Sequence, residues 1–168
     1  LHPQYCTAYV FSNTNPANNS LMTGIKERLN NHPALKKLVH RLLVPAGEAR
    51  PRMWVKWLVN PFIHLKQGKI RRNARTDLFP FQAFSLGKGA VVEDFAVLNN
   101  GVGELHIGQG SRVGIGSVLI GPVSIGDNCL LAQHVVISGL NHCFADTTRP
   151  IKEQGVETAP VTLADGCW

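Results

Sequence analysis

The sequence has no apolar run approaching the roughly 18 residues that a bilayer crossing requires, and no charged-then-apolar segment of the signal-peptide kind. Aromatic residues make up only 7% of the 168, against 16 glycines. That balance argues against a Phe-rich globular core and suits many tight turns with thin packing by small side chains. Cysteine is scarce: Cys6, Cys129, Cys143 and Cys167 form no CxxC pair and no small-domain disulfide framework, so they read as reduced thiols of a cytoplasmic protein. Acids are nearly missing from one stretch. Met22 to Thr76 holds 13 Lys/Arg against Glu27 and Glu48, whereas Asp77 to Trp168 holds 4 Lys/Arg against 9 acids. A basic surface attracts phosphates, nucleic acid or anionic lipid headgroups. No aromatic-interleaved basic surface or nucleic-acid module accompanies this one, which argues against nucleic acid as a partner.

What is present divides the chain into three parts. Residues 1–21 are polar, Asn-rich and patternless, and Met22 directly precedes a helical pattern. Met22 is therefore expected to be the natural start, with 1–21 a disordered or non-native leader. Residues 22–76 form a basic, helical N-terminal segment. Within 24–44, Ile25, Leu29, Leu35, Leu38, Val39, Leu42 and Leu43 share one helical face, and Pro33 divides the stretch into two short helices. Residues 52–59 predict a further apolar helix that Asn60-Pro61 ends; residues 65–76 read as basic and irregular, and 77–84 as an aromatic lead-in. The segment serves as a cap over the body's first layer or as a peripheral contact with the inner membrane face through Trp54 and Trp57.

Residues 77–168 carry the decisive pattern. Aliphatic side chains recur every sixth position as Leu86, Val92 and Leu98, then after a three-residue slip as Ile107, Val113, Leu119, Ile125, Leu131 and Ile137. A small residue follows in most units (Gly87, Gly108, Gly114, Gly126, Ala132, Ser138). A second small or apolar residue stands four after the aliphatic one (Ala90, Ala96, Ser111, Ser117, Val123, Cys129, Val135). Neither a helix nor an alternating strand has this period; a solenoid whose short strands each bury one large side chain before a corner does. Three units make a coil of 18 residues, so Ile107 is expected to stack on Ile125, Val113 on Leu131 and Leu119 on Ile137. The run from Pro122 to Cys129 is echoed from Pro160 to Cys167, a spacing of 38: one coil plus an insertion of 20. The polar, aperiodic loop 143–159 fills that insertion, and a long loop leaving a solenoid is usually functional.

The run IGPVSIGDNCLLAQHVVISGLNH (120–142), the polar loop and PVTLADGCW (160–168) resemble the galactoside, maltose and polysaccharide O-acetyltransferases of the hexapeptide-repeat acyltransferase superfamily. FSLGKGAVVEDFAVLNNGVGELHIG (84–108) extends the resemblance, and RPRMWVKWLVNPF (50–62) points to the branch acting on bacterial capsule, O-antigen or exopolysaccharide sugars. The resemblance implies an all-β, single-stranded left-handed parallel β-helix, a homotrimer, acetyl-CoA as donor and a sugar hydroxyl as acceptor, with no metal. It also implies that the 77–168 domain is incomplete at its C-terminus, so that this chain by itself binds CoA poorly and is inactive.

Acyl transfer from a thioester to an alcohol needs a base for the hydroxyl proton and an acid for the leaving thiolate. A histidine, with an ordinary pKa of about 6.5, serves as both. By position His142 fits: it ends the last regular unit before the loop. Read from the residues alone it is a general base or a corner hydrogen-bonder; the resemblance implies the base. Asn141 orients that histidine or the loop, or turns a corner; Asp146 and Glu153 on the loop hold the imidazole tautomer or are simply solvated, and Asn141 and Asp146 are the expected substrate-binding residues. His134 reads as outward-facing or at a subunit seam, and His106 as weaker still. Trp168 matches the tryptophan that flanks the acetyl-CoA cleft in the family, core packing being the other reading. Where galactoside- and maltose-type enzymes have an acceptor-side Asn, this chain reads Val113-Gly-Ile-Gly116; Asn99 and Asn100 stand one coil earlier. Transfer to an amine, serine or antibiotic acceptor is the chemical alternative, and a non-catalytic β-helix scaffold the alternative of another class.

Overall fold

A computed structural model describes residues 32–45, 48 and 50–168. The leader expected over 1–21, the start at Met22 and the first front helix lie outside the described residues. The chain divides into two compact units, Leu1–His40 and Arg41–Trp168. The second front helix is observed as α1 (Pro33–Leu43), opened by the proline that the sequence reading placed at the divide. Proline belongs there, because a helix's first turn has no use for its missing N–H.

The helix expected over 52–59 differs from its expectation. Val55–Val59 is a π-helical run, and the backbone continues past Asn60-Pro61 as α2 (Asn60–Ile63). The Asn60 N–H bonds back five residues to Val55 O, and Pro61 sits in the first turn of α2, where no N–H is required of it. One face of this stretch is buried: Val55, Asn60 and His64. Asn60 donates its Nδ2 to Leu78 O at 2.7 Å, and the His64 ring meets Phe84 edge-on at 5.8 Å.

From Leu65 the chain winds in coils of three short strands. The first coil is β1 (Leu65–Lys66), β2 (Lys69–Ile70) and β3 (Arg75–Asp77). The second is β4 (Phe84–Leu86), β5 (Val91–Val92) and β6 (Val97–Asn99), and the third β7 (Leu105–Ile107), β8 (Arg112–Val113) and β9 (Val118–Ile120). The fourth is β10 (Val123–Ile125), β11 (Leu130–Leu131) and β12 (Val136–Ser138). The chain then leaves as β13 (Leu140–His142), returns as β14 (Val156–Thr158) and resumes coiling with β15 (Val161–Leu163). Like strands stack into three parallel sheets, in the orders β1-β4-β7-β10-β15, β2-β5-β8-β11 and β3-β6-β9-β12. The result is a parallel β-helix.

The expected register holds. Ile107 pairs with Ile125, Val113 with Leu131 and Leu119 with Ile137. Across the slip, Leu86 pairs with Ile107, Val92 with Val113 and Leu98 with Leu119, so three extra residues at the bend before Leu105 leave every aliphatic column in line. These columns are the core: Leu86, Val92, Leu98, Val113 and Leu119 are fully buried. Each such side chain stabilises the coil stack by about 1.5–3 kcal/mol.

The small residues four positions on serve a second purpose. Buried Ser111 donates its hydroxyl to Gly126 O and accepts the Cys129 N–H, and Ser117 does the same with Ala132 O and the Val135 N–H. Backbone groups at two corners thereby gain partners inside the stack. On the outside, Asp127 accepts the Gln109 N–H and Asp165 the Asp127 N–H, each at 2.7 Å, which accounts for the aspartate shared by the two echoed segments.

The coils start at Leu65, ahead of the boundary that the repeat marks at Asp77. Lys66, Ile70 and Thr76 occupy the positions of Leu86, Val92 and Leu98 in the next coil. An end coil has a neighbour on one side only, so two of its three inward positions do without a large aliphatic, and the hexapeptide signature is erased there. The aromatic lead-in is a buried turn: Leu78, Phe79 and Phe84 are in the interior, and fully buried Asn100 holds it by accepting the Phe79 N–H and donating to Gln82 O. Asn99 accepts the Gly101 N–H, so both asparagines are turn-formers.

Candidate active site

The chain leaves the β-helix at Gly139, a buried position where a side chain would collide with the Pro122 ring and with Ala159 O. From there β13 and β14 form an antiparallel pair, with Leu140 opposite Thr158, Asn141 opposite Glu157 and His142 opposite Val156. Ala159 N–H closes the base of this arm on Gly139 O at 2.9 Å. The 143–159 insertion is thus half hairpin, although its residues show no strand period. Burial sets that period, and this pair has no buried face to impose it.

His142 lies in the outgoing strand with its side chain exposed. Its backbone N–H donates to the Asn141 Oδ1 at 3.0 Å. Asp146 begins the arm's distal turn: its Oδ1 accepts both the Thr148 N–H at 2.9 Å and the Thr148 hydroxyl at 2.6 Å. The hydroxyl bond first, and the backbone bond second, hold the Asp146 carboxyl below its ordinary range. Gln154, which sequence reasoning passed over, ties the turn together. It accepts the Asp146 N–H and donates to Asp146 O and Arg149 O, at 3.0, 2.7 and 2.9 Å. Cys143, beside the histidine, has its thiol pushed up by burial and by Glu157. The arm therefore brings His142, Asn141 and Asp146 onto one element, but among the described residues neither Asn141 nor Asp146 hydrogen-bonds the imidazole.

Trp168 stands elsewhere. It is 92% exposed, so the core-packing alternative does not describe it. It borders a cavity of about 540 Å³ with Leu130, Leu131, Val135, Ile137 and Leu163. Leu130 and Leu131 belong to β11, Ile137 to β12, which Val135 directly precedes, and Leu163 to β15, the edge strands of the three sheets, so the cavity is the apolar end of the coil stack. Cys167 also lines it, and His142 does not.

Two other histidines find partners of their own. His134 sits at a corner in the left-handed conformation (φ 56°), in line with Phe95 (φ 60°) and Gly116 (φ 69°), its ring over Gly116. His106 faces outward from β7 and shares a hydrogen bond of 2.8 Å with the Ser85 hydroxyl one coil away. Burial lowers the His106 pKa, against a smaller upward pull from Glu104. This Ser–His contact escaped the sequence because its partners lie 21 residues apart, across the slip. Among the described residues no three His, Cys, Asp or Glu side chains are grouped to hold a metal ion.

Comparison with known proteins bears on these coils directly. Residues 105–139 match the family described as bacterial transferase hexapeptide (six repeats). Those residues make up the third and fourth coils. No curated protein sequence matches the chain. Among solved structures, the chain is similar to AntD, an N-acyltransferase from Bacillus cereus in complex with dTDP and 3-hydroxybutyryl-CoA. The identity is 20% and the TM-score 0.48, and the alignment covers 66% of this chain and 62% of that one. His142 is the histidine that the inserted arm carries out from the coils, beside the arm's other basic residues Arg149 and Lys152.

Proposed function

We propose that the chain is an acyltransferase that uses acetyl-CoA, with His142 as general base and a sugar hydroxyl of a bacterial capsule, O-antigen or exopolysaccharide precursor as acceptor. The observation that carries this reading is the exposed His142 on an arm inserted into transferase-type hexapeptide coils. The imidazole takes the hydroxyl proton as the oxygen attacks the thioester carbonyl. A C–O bond forms, the C–S bond breaks, and the imidazolium returns the proton to the departing thiolate. Asn141 sets the backbone of the histidine and Asp146 the turn beyond it; both bind the acceptor in this reading. Trp168 flanks the CoA. The working form is a left-handed, trimeric β-helix in the cytoplasm, in peripheral contact with the inner face of the membrane. Transfer to an amine is the second reading: a neutral amine attacks the thioester carbonyl, the imidazole takes the proton that the new ammonium nitrogen sheds, and returns it to the departing thiolate as the C–S bond breaks.

The test is release of free thiol from acetyl-CoA in the presence of sugar acceptors by the full-length protein. His142→Asn is expected to lower the rate by roughly 100-fold or more, with circular dichroism and oligomeric state unchanged. An unchanged rate would remove His142 from the chemistry, and an absence of transfer to any acceptor would favour a scaffold.

A further inference from the structure

We infer that the helical stretch from Met53 to Leu65 is a docking face for a membrane surface rich in anionic lipid. It gives a location to the membrane contact proposed above and depends on nothing in the acyl-transfer chemistry. The stretch has two unlike sides. Val55, Asn60 and His64 are buried, so the segment is fixed to the body of the protein. Met53, Trp54, Trp57, Leu58, Phe62 and Leu65 are exposed, Trp57 at 69% and Phe62 at 83%. Six large apolar side chains within thirteen residues make a patch of the kind that marks a binding surface.

The surrounding charge says what kind. Glu48 is the one acid between Arg28 and Asp77, and it is already paired with Arg50 at 2.5 Å. Arg52, Lys56, Lys66, Lys69, Arg71 and Arg72 accompany the apolar patch along the chain with no acid among them. Lys66, lowered in pKa by burial and then by the charge of Lys56, has a like charge for a neighbour and no carboxylate. Two exposed tryptophans and a phenylalanine with a fringe of cations suit the headgroup layer, where indole rings lie at the boundary and Lys/Arg meet anionic lipid. A second copy of the chain is the poorer occupant, since it would bring the same cations to the same contact. No helix among the described residues is long and apolar enough to cross a membrane, so this face lies on the surface instead of spanning it. Taken by itself, α1 has the same chemistry: exposed Leu35, Leu38 and Leu42 alongside exposed Lys37 and Arg41, with no acid in the helix.

The test is sedimentation of the full chain with vesicles of phosphatidylcholine alone or mixed with phosphatidylglycerol. Tryptophan emission is followed in parallel in a Trp168→Phe background, where Trp54 and Trp57 are the reporters. Salt-sensitive binding confined to the anionic vesicles, with a blue shift, is the expected result. Trp57→Ser with Phe62→Ser, and separately Lys56→Glu with Lys66→Glu, should each weaken vesicle affinity by about tenfold or more while the circular dichroism stays that of the parent. No binding to anionic vesicles, or equal binding by the parent and both variants, would overturn the inference. So would a parent that self-associates through this face and loses only that association in the variants. Acyl transfer to a soluble acceptor, unaffected in these variants, keeps this result separate from the catalytic one.

Discussion

Burial of His64 leaves both ring nitrogens without a hydrogen-bond partner among the described residues and holds its pKa down to about 4, burial being the first cause and the Lys66 charge the second. In the unfolded chain the same group titrates at about 6.5. Between those values the unfolded state takes up a proton that the folded state refuses. This contribution to stability is therefore complete above pH ~6.5 and is lost as pH falls towards ~4, an upper limit of about 3 kcal/mol. Thermal melting followed by circular dichroism should show Tm falling through that window, and His64→Leu should flatten the fall; parallel curves would place the acid sensitivity elsewhere. Residues differ in how far the sequence foretells them. That the repeat breaks off near His142 is legible; that the chain has already left the coils at Gly139, so that His142 stands on the arm instead of ending the last regular unit, is not. The bonds of Asp146 to Thr148 and of Gln154 across the turn are not legible either, since they depend on how an aperiodic loop closes on itself.

Elements of this fold are held apart by a single backbone spacing, and the corner glycines guard it. A Cβ on Gly114 would stand 2.5 Å from Ala132 O and 2.7 Å from Leu131 O, backbone atoms of the next coil that cannot turn aside. Gly114→Ala is expected to force coils three and four apart and cost roughly 2 kcal/mol or more, read as a lower midpoint in urea. Gly155 in the arm has a left-handed backbone (φ 89°) but open space around it, so Gly155→Ala costs only the conformational strain, about 1 kcal/mol. Equal losses for the two would contradict the stacking account. The strands of coils two and three can be read from the hexapeptide period because each inward residue there is covered on both sides. Those of the first coil and of the arm cannot, because Lys66, Thr76 and Val156 lack a covering neighbour that would demand an aliphatic.

At the scale of the whole molecule, the third sheet turns an apolar column outward. Val97, Val118 and Val136 pair in register along β6, β9 and β12, and Val136 is 68% exposed. Such a ladder suits a face shared between copies, and it belongs with the trimer in the proposed function. Sedimentation equilibrium should give three times the chain mass, and Val118→Asp with Val136→Asp should reduce it to the monomer. A parent that sediments as a monomer would remove the trimer from the proposal.

The sequence by itself determined the β-helix, its 18-residue coil and the register of its aliphatic columns. All of these follow from one rule: a repeated inward position must be apolar wherever coils cover it. Tertiary structure alone decided where the coiling starts, that the arm is an antiparallel pair, that Trp168 and His142 belong to different features, and which side of the Met53–Leu65 stretch faces out. These depend on what each segment packs against, and a local pattern records a neighbour only when that neighbour constrains every turn of the repeat.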